Sequence, residues 1–262
     1  MSPSSSSLSS TPTPTTTTPI TTNVFDVGKY TTLLPSAEPN TCTTKSSLSL
    51  PPPKPLLIAI PDVAGEFPLL LLLHGYGYLL YDSFYSQLIR HIASNGFIVV
   101  APQLYTVAGP DSTDEIKSAV AITYWLPSGL HKVLPTHVQP NLTKIRLSGH
   151  SCGGKAAFAL ALGKVTTPSL KFSALIGIDP VDGMDKGIHP HQSSLTYLIP
   201  LISTWRAPKG INHEDFYKEC CELACYFVAK DCGHVDMLDD ETKGIRGKTS
   251  YYLCKKASLE SP

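Results

Sequence analysis

The chain reads Gly149-His150-Ser151-Cys152-Gly153 between an apolar strand at Lys144 to Ser148 and an alanine-rich helix at Ser151 to Gly163. A Gly-x-Ser-x-Gly pattern in that setting predicts a sharp strand-to-helix turn that holds the serine in a strained backbone conformation. The glycines relieve crowding against the neighbouring strand and helix, and the helix N-terminus favours negative charge beside the serine hydroxyl. The pattern therefore predicts Ser151 as a nucleophile, with a glycine-rich turn and an incidental serine as the alternative.

Strand-like and helix-like segments alternate on both sides of this turn. Apolar runs that favour strands occur at 56–60, 67–73, 96–102, 144–148, 173–178 and 224–230, and helical patterns at 84–94, 114–125 and 151–163. Continuously apolar strands separated by amphipathic helices indicate a mostly parallel central sheet with helices on both faces. The sequence therefore predicts an α/β architecture of the α/β-hydrolase fold, in a single domain that spans residues 23–262.

A serine needs a base and an orienting acid to act as a nucleophile, and in this fold they follow in the order serine, acid, histidine. Asp179 ends the apolar strand Ala174 to Ile178, and so falls at the sheet edge where ligands bind in open α/β folds. Asp182 and Asp185 are alternatives that follow Pro180 in a loop. We expect Asp179 to be the acid because it ends the strand directly.

The expected base is His234, which follows the strand Ala224 to Lys230 through the short polar loop Asp231-Cys-Gly-His234. A histidine after the penultimate or last strand is typical of the fold. Of the nine histidines, this one is the best placed. The others, including His74 and His150, are interpreted as packing or surface residues.

The remaining requirement is a pair of backbone N–H groups that bind the tetrahedral oxyanion. One should come from Cys152, the residue after the nucleophile, and the other from Tyr76, in the loop after the strand at 67–73. That loop reads His74-Gly75-Tyr76-Gly77, and its glycines allow the backbone to turn an N–H inward. A tight turn without any oxyanion role is the alternative interpretation.

The composition limits the class of partner. Lys+Arg and Asp+Glu both number 21, so the formal net charge is zero, which disfavours nucleic acid and favours an uncharged partner. The longest apolar stretch, 67–73, is too short to span a bilayer. Seven cysteines cannot all pair within the chain, and the cluster at 220–232 lacks the paired Cys-x-x-Cys spacing of a metal site. We therefore expect no metal and mainly reduced structural thiols.

Residues 1–22 are almost entirely Ser, Thr and Pro, without a charged residue. Such a segment cannot bury enough apolar surface to order itself, so we expect a disordered tail. The apolar region of a secretory signal is missing. A Ser/Thr-rich and acid-poor composition matches a plastid transit segment, although the usual arginines are absent. The tail therefore predicts plastid import.

Six stretches of the sequence carry a recognisable pattern. They are Val24-Phe-Asp-Val-Gly-Lys-Tyr30, Phe97-Ile-Val-Val-Ala-Pro-Gln-Leu-Tyr105, Gly149-His-Ser-Cys-Gly-Gly-Lys-Ala-Ala-Phe-Ala-Leu-Ala161, Gly177-Ile-Asp-Pro-Val-Asp-Gly183, Asn212-His-Glu-Asp-Phe216 and Gly233-His-Val-Asp-Met-Leu-Asp-Asp240. Together they resemble plant chlorophyllases, the esterases that remove phytol from chlorophyll, and the resemblance covers most of the chain, from Val24 to Gly247.

The resemblance implies a serine esterase that hydrolyses the phytyl ester of chlorophyll, with Ser151, Asp179 and His234 as its triad. It implies no metal or organic cofactor, because the magnesium of chlorophyll belongs to the substrate. The expected partner is a small-molecule substrate, chlorophyll, with peripheral membrane association. The expected location is the chloroplast, and the cytosol, vacuole or endoplasmic reticulum are the alternatives. The apolar and aromatic run Tyr76 to Tyr81 is a candidate contact for the phytyl chain or macrocycle.

The chain departs from the resembled family at three places. Cys152 stands where the family usually has arginine, which removes a positive charge beside the nucleophile. The segment between Tyr197 and Arg206 is shorter than in the family, and the chain ends before the amphipathic C-terminal helix that normally covers one sheet face. A general lipase or carboxylesterase, and a non-catalytic pigment- or lipid-binding member of the fold, are the alternative functions.

Overall fold

A computed structural model describes residues 26–39, 51–75, 84–105, 112–165, 167–181, 199–204, 213–218, 220, 224–229 and 232–239. Within these ranges the chain forms nine strands and four helices. The strands are β1 (Thr32–Leu33), β2 (Ser36–Ala37), β3 (Leu56–Pro61), β4 (Gly65–Leu73), β5 (Ile98–Pro102), β6 (Val138–His150), β7 (Ala174–Ile178), β8 (Ile199–Thr204) and β9 (Ala224–Ala229). The helices are α1 (Ser86–Ser94), α2 (Thr113–Val133), α3 (Cys152–Ala161) and α4 (His213–Lys218).

The strands form one sheet in the order β1-β3-β5-β4-β6-β7-β8-β9, with β2 also paired to β3. From β5 to β9 every neighbouring pair is parallel, whereas β3 runs antiparallel to β1, β2 and β5. The prediction of a mostly parallel central sheet is therefore confirmed. Strand β8 was not among the predicted strands, and it completes the sheet between β7 and β9.

Helices cover both faces of the sheet because strand side chains alternate between them. On β4, Leu69, Leu71 and Leu73 pack in the core that contains the apolar faces of α2 and α3. Leu70 and Leu72 point the other way and pack with Ile89 and Ala93 of α1. The continuous leucine run is thus buried on both sides, as expected for a central strand of a parallel sheet.

Helix α2 continues through Pro127 to Val133, past the predicted end at residue 125. Proline has no N–H, so the carbonyl four residues earlier, that of Thr123, loses its helical partner. The Ser169 hydroxyl donates to that carbonyl at 2.6 Å, and the Thr123 hydroxyl accepts from the Ser169 N–H at 3.3 Å. A segment from outside the helix therefore supplies the missing bond, which the local sequence does not reveal.

Four cysteines lie in the described ranges, and their redox state departs from the sequence expectation at one of them. Cys152, Cys220 and Cys225 are thiols outside any disulfide bond, whereas Cys232 is disulfide-bonded. The expectation of reduced thiols is therefore wrong for Cys232, since pairing depends on the approach of two Cβ atoms, which spacing does not fix.

The tail at 1–22 and the C-terminal end at 240–262 lie outside the described residues. Among the residues described, no helix is both long enough and apolar enough to cross a membrane. In the same ranges, no group of three or more His, Cys, Asp and Glu side chains is arranged to hold a metal ion.

Candidate active site

The turn between β6 and α3 holds Ser151 in a backbone conformation that few residues other than glycine adopt, with φ 56° and ψ −125°. Its side chain is nearly buried, at 7% exposure. A Cβ added at Gly149 would lie 2.0 Å from the Gly153 carbonyl oxygen, and one at Gly153 would lie 2.3 Å from the His74 carbonyl oxygen. Only glycine fits at either position, so the two glycines of the motif are a steric requirement of the turn.

Hydrogen bonds tie this turn to the end of the neighbouring strand β7. The Ser151 N–H donates to the Ile178 carbonyl at 3.1 Å, and the Val181 N–H donates to the Ser151 carbonyl at 3.1 Å. In the parallel register His150 pairs with Ile178, so the next residue of each strand, Ser151 and Asp179, reaches the same edge of the sheet. The strand pairing therefore places the predicted nucleophile beside the predicted acid.

Asp179 is fully buried and has a positive φ of 43°. Its Oδ2 atom is hydrogen-bonded to His234 Nδ1, and His234 Nε2 lies 2.9 Å from Ser151 Oγ. Asp182 and Asp185, the alternative acids, lie outside the described residues. The structure thus brings the three predicted residues into one hydrogen-bonded chain, although they are distant in sequence.

This chain of hydrogen bonds determines which nitrogen of His234 carries the proton. A carboxylate accepts, so Nδ1–H donates to Asp179 and the Nε2 lone pair faces the Ser151 hydroxyl. The His234 side chain is 31% exposed, whereas the Asp179 side chain is fully buried. The arrangement can remove the hydroxyl proton as oxygen attacks a carbonyl and can stabilise the imidazolium that forms.

The segment predicted to supply an oxyanion donor lies directly against the serine. A Cβ added at Gly75 would lie 2.9 Å from Ser151 Cβ. Cys152 is the first residue of α3, where amide groups have no carbonyl partner within the helix. Tyr76, the other expected donor, and Tyr78 to Tyr81 lie outside the described residues.

Hydrogen bonds of the His74 ring fix the backbone at the end of β4, beside Ser151. Its Nε2 accepts a hydrogen bond from the Leu104 N–H at 3.1 Å, so its Nδ1–H donates to the Gly75 carbonyl at 2.9 Å. Burial lowers the pKa of His74, which favours this neutral form. His74, which the sequence suggests is a packing residue, therefore also holds the Gly75 carbonyl in place.

The chain matches a known protein family over most of its length. The family model described as Chlorophyllase matches residues 20–201 and 199–261. The chain is 50% identical to Chlorophyllase-2 of Arabidopsis thaliana over 267 residues, which cover 92% of this chain and 83% of that one. The chain belongs to the chlorophyllase family.

Two further chlorophyllases are similar over somewhat shorter spans. Chlorophyllase-1 of Arabidopsis thaliana is 43% identical over 79% of this chain and 70% of its own. Chlorophyllase-1, chloroplastic, of Citrus unshiu is 40% identical over 83% of this chain and 70% of its own. The two matched segments of the family model overlap at 199–201, in β8, within the stretch between Tyr197 and Arg206 that is predicted from the sequence to be shorter than in the family.

Among solved structures, an inhibited esterase B from Lactobacillus rhamnosis aligns with a TM-score of 0.55 and 15% identity. The alignment covers 76% of this chain and 75% of that one. At this identity the likeness concerns the fold, and it confirms the α/β-hydrolase prediction.

Cys152, which stands where the resemblance implies arginine, carries a free and neutral thiol. Burial raises the pKa of the Cys152 thiol, and the carboxylate of Glu115 acts in the same direction. The turn at Ser151 therefore has an uncharged side chain at that position. The backbone N–H expected to bind the oxyanion does not depend on this substitution.

The loop that carries His234 is anchored at its far end to helix α1. The Asp239 carboxylate accepts hydrogen bonds from the Ser86 N–H at 3.0 Å and the Gln87 N–H at 2.9 Å, in the first turn of α1. The Asp239 N–H also donates to the Phe84 carbonyl at 2.8 Å. A carboxylate at a helix N-terminus is stabilising because it satisfies unpaired N–H groups and opposes the helix dipole. Sequence reasoning missed Asp239, because its partners lie more than 150 positions away.

Proposed function

We propose that this chain is a chlorophyllase that hydrolyses the phytyl ester of chlorophyll to chlorophyllide and phytol. The observation that carries the proposal is the hydrogen-bonded chain Ser151, His234, Asp179 in a member of the chlorophyllase family. Relatives named chlorophyllases at 40–50% identity over most of the chain support the substrate.

In the proposed reaction, Ser151 Oγ attacks the ester carbonyl carbon while His234 Nε2 takes the hydroxyl proton. The tetrahedral intermediate then expels the phytyl oxygen, which receives that proton from the imidazolium and leaves as phytol. Water attacks the resulting acyl-serine with the same histidine as base, which releases chlorophyllide and restores the serine. Asp179 holds the imidazole and stabilises its positive charge throughout.

The oxyanion donors in this proposal are the N–H groups of Cys152 and Tyr76. For Tyr76 the support comes from the preceding residue, since the Gly75 carbonyl points to His74 Nδ1. Gly75 itself lies directly against the serine, since a Cβ added there would lie 2.9 Å from Ser151 Cβ. Removal of one such donor typically lowers the rate by about 10²–10³.

The deciding experiment compares Ser151→Ala with the wild-type chain for phytol release and for labelling by a fluorophosphonate probe. We expect the substitution to abolish labelling and to lower kcat on the order of 10⁶-fold, because the triad acts as a unit. Ser118→Ala is the matched control, since Ser118 lies on the outer part of α2 and its hydroxyl donates only to the Asp114 carbonyl. Rapid p-nitrophenyl ester cleavage with chlorophyll untouched would instead indicate a general esterase, and wild-type protein that takes no label would indicate a binding protein.

We also propose that the protein acts in the chloroplast, at a membrane surface that holds its substrate. The Ser/Thr-rich segment 1–22 and the chloroplastic names of the Citrus relatives support the location. A fluorescent fusion of the full chain should enter chloroplasts, and the same fusion without residues 1–22 should not. Purified protein should co-sediment with chlorophyll-containing vesicles; protein that stays in the supernatant would contradict the membrane part of the proposal.

A further inference from the structure

His150, the residue before the nucleophile, is fully enclosed and both of its ring nitrogens are hydrogen-bonded. Nε2 lies 3.0 Å from the backbone carbonyl oxygen of His234, and Nδ1 lies 2.7 Å from the Tyr85 hydroxyl. A carbonyl oxygen can only accept, so Nε2 must carry the hydrogen and Nδ1 must be the acceptor. The backbone carbonyl of His234, the proposed base, therefore fixes the tautomer of His150.

The chain of hydrogen bonds continues beyond Tyr85 to the strand end beside the serine. The Gly75 N–H donates to the Tyr85 hydroxyl oxygen at 3.0 Å, while that hydroxyl donates its own hydrogen to His150. Each group therefore donates to the next along the chain, from the Gly75 N–H through Tyr85 and His150 to the carbonyl of His234. Four separate segments meet in this chain: the end of β4, the residue before α1, the end of β6, and the loop at 232–239.

The surroundings keep His150 in the neutral form that this chain of bonds requires. Burial lowers its pKa to about 3, and the nearby ring of His234 acts in the same direction. The two imidazole rings are 4.8 Å apart. A charged His150 would lose its acceptor nitrogen and would repel the imidazolium that forms on His234 during the proposed reaction.

We propose that His150 is a positioning residue, which holds the backbone of His234 so that its ring stays between Ser151 and Asp179, and which holds Gly75 through Tyr85. This inference rests on the proposed esterase mechanism. It assigns the second residue of the motif a task that the triad itself cannot perform, because Asp179 and Ser151 contact only the ring of His234 and not its backbone. A ring held only through its nitrogens still moves when the backbone of its loop moves.

Two substitutions separate the bonds of His150. The Gln amide in His150→Gln can place an N–H near the position of Nε2, and so can keep the bond to the His234 carbonyl. The shorter side chain in His150→Asn reaches only about as far as Nδ1, and so keeps a partner for Tyr85 but loses His234. Tyr85→Phe removes the bonds to His150 and Gly75 while it retains the packing of the ring.

The test measures kcat and KM for a p-nitrophenyl ester, with active sites counted by fluorophosphonate labelling. We expect His150→Asn to lower kcat per labelled site on the order of 10–100-fold with KM little changed, because a misplaced base acts on the transition state. His150→Gln should recover most of that loss, and Tyr85→Phe should lower kcat by about threefold to tenfold. His131→Asn, on the exposed end of α2, is the matched control.

A purely structural role gives a different pattern. In that case His150→Asn would reduce the number of sites that take the label, while kcat per labelled site stayed at the wild-type value, and this result would overturn the inference. Equal kcat per labelled site in the Asn and Gln variants would also overturn it. A wild-type chain that hydrolyses no ester would overturn the proposed function and this inference together, whereas active wild-type protein with either of the other results overturns the inference alone.

Discussion

The turn at Ser151 and the loop at His234 supply two halves of one site, and the chain builds them by different means. The turn is recognisable from its own residues, since only glycine fits at 149, against the Gly153 carbonyl of the same turn, and at 153, against the end of β4. The loop at 232–239 depends on distant partners, namely the carboxylate of Asp179, the ring of His150 and the first turn of α1. Local sequence therefore determines the first half, and tertiary contacts determine the second.

This difference is tested most strongly by adding one methyl group to each half. Gly149→Ala should destabilise the protein by about 3 kcal/mol or more, because its Cβ would lie 2.0 Å from a backbone carbonyl oxygen that cannot move aside. Gly233→Ala in the loop has its nearest atom, Asp236 Oδ2, at 3.5 Å, and should cost under about 1 kcal/mol. Urea unfolding of both variants makes the comparison, and equal losses would show that the turn is no more constrained than the loop.

The same difference explains how much could be predicted from the sequence. The parallel sheet, the turn and the placement of Asp179 follow from apolar periodicity and from the end of β7, both of which are local signals. The bonds of His150, Tyr85 and Asp239 join residues far apart in the chain, and no pattern within one segment indicates them. Strand β8 escaped prediction because Pro200 interrupts its short apolar run, which weakens the signal for a strand. Helix α2 continues past Pro127 with the help of Ser169, a donor from a distant segment.

His150 joins the two halves, and its buried neutral ring should make stability depend on pH. Its pKa of about 3 lies below the ordinary value of 6.5, so the unfolded chain takes up the proton first as the pH falls. The stabilisation is fully present above pH 6.5 and is lost as the pH falls toward 3. Between pH 7 and pH 5 the loss from this residue should be about 2 kcal/mol.

Denaturant unfolding of the wild type and of His150→Gln at pH 7 and pH 5 measures this contribution. The variant has no group that titrates at this position, so its free energy of unfolding should fall by about 2 kcal/mol less than that of the wild type. His74, whose pKa is also lowered by burial, is present in both proteins and cancels in the difference. Identical losses in the two proteins would mean that His150 is not held neutral in the folded state.

The anchor of the loop on α1 should affect both stability and rate. Asp239→Ala removes the acceptor for the Ser86 and Gln87 N–H groups, and should destabilise the protein by about 1–2 kcal/mol. Because the loop carries the proposed base, kcat for an aryl ester should fall as well, by about tenfold. Asp114→Ala is the control, since this carboxylate lies in the first turn of α2 with a side chain that is 94% exposed. A stability loss without any change in kcat would show that the anchor does not position His234.

Removal of the hydrogen bond between Ser169 and Thr123, which lies away from the site, should lower stability without changing kcat. Ser169→Ala leaves the Thr123 carbonyl, already deprived of a helical partner by Pro127, without its hydroxyl donor, which should cost about 1 kcal/mol. Thr123 is buried, so water cannot readily replace that donor. Thermal unfolding measures the loss, with Ser118→Ala as a surface control, and kcat should equal that of the wild type. A fall in kcat would mean that the packing of α2 is coupled to the site, and that the dependence on distant partners is not confined to the loop at His234.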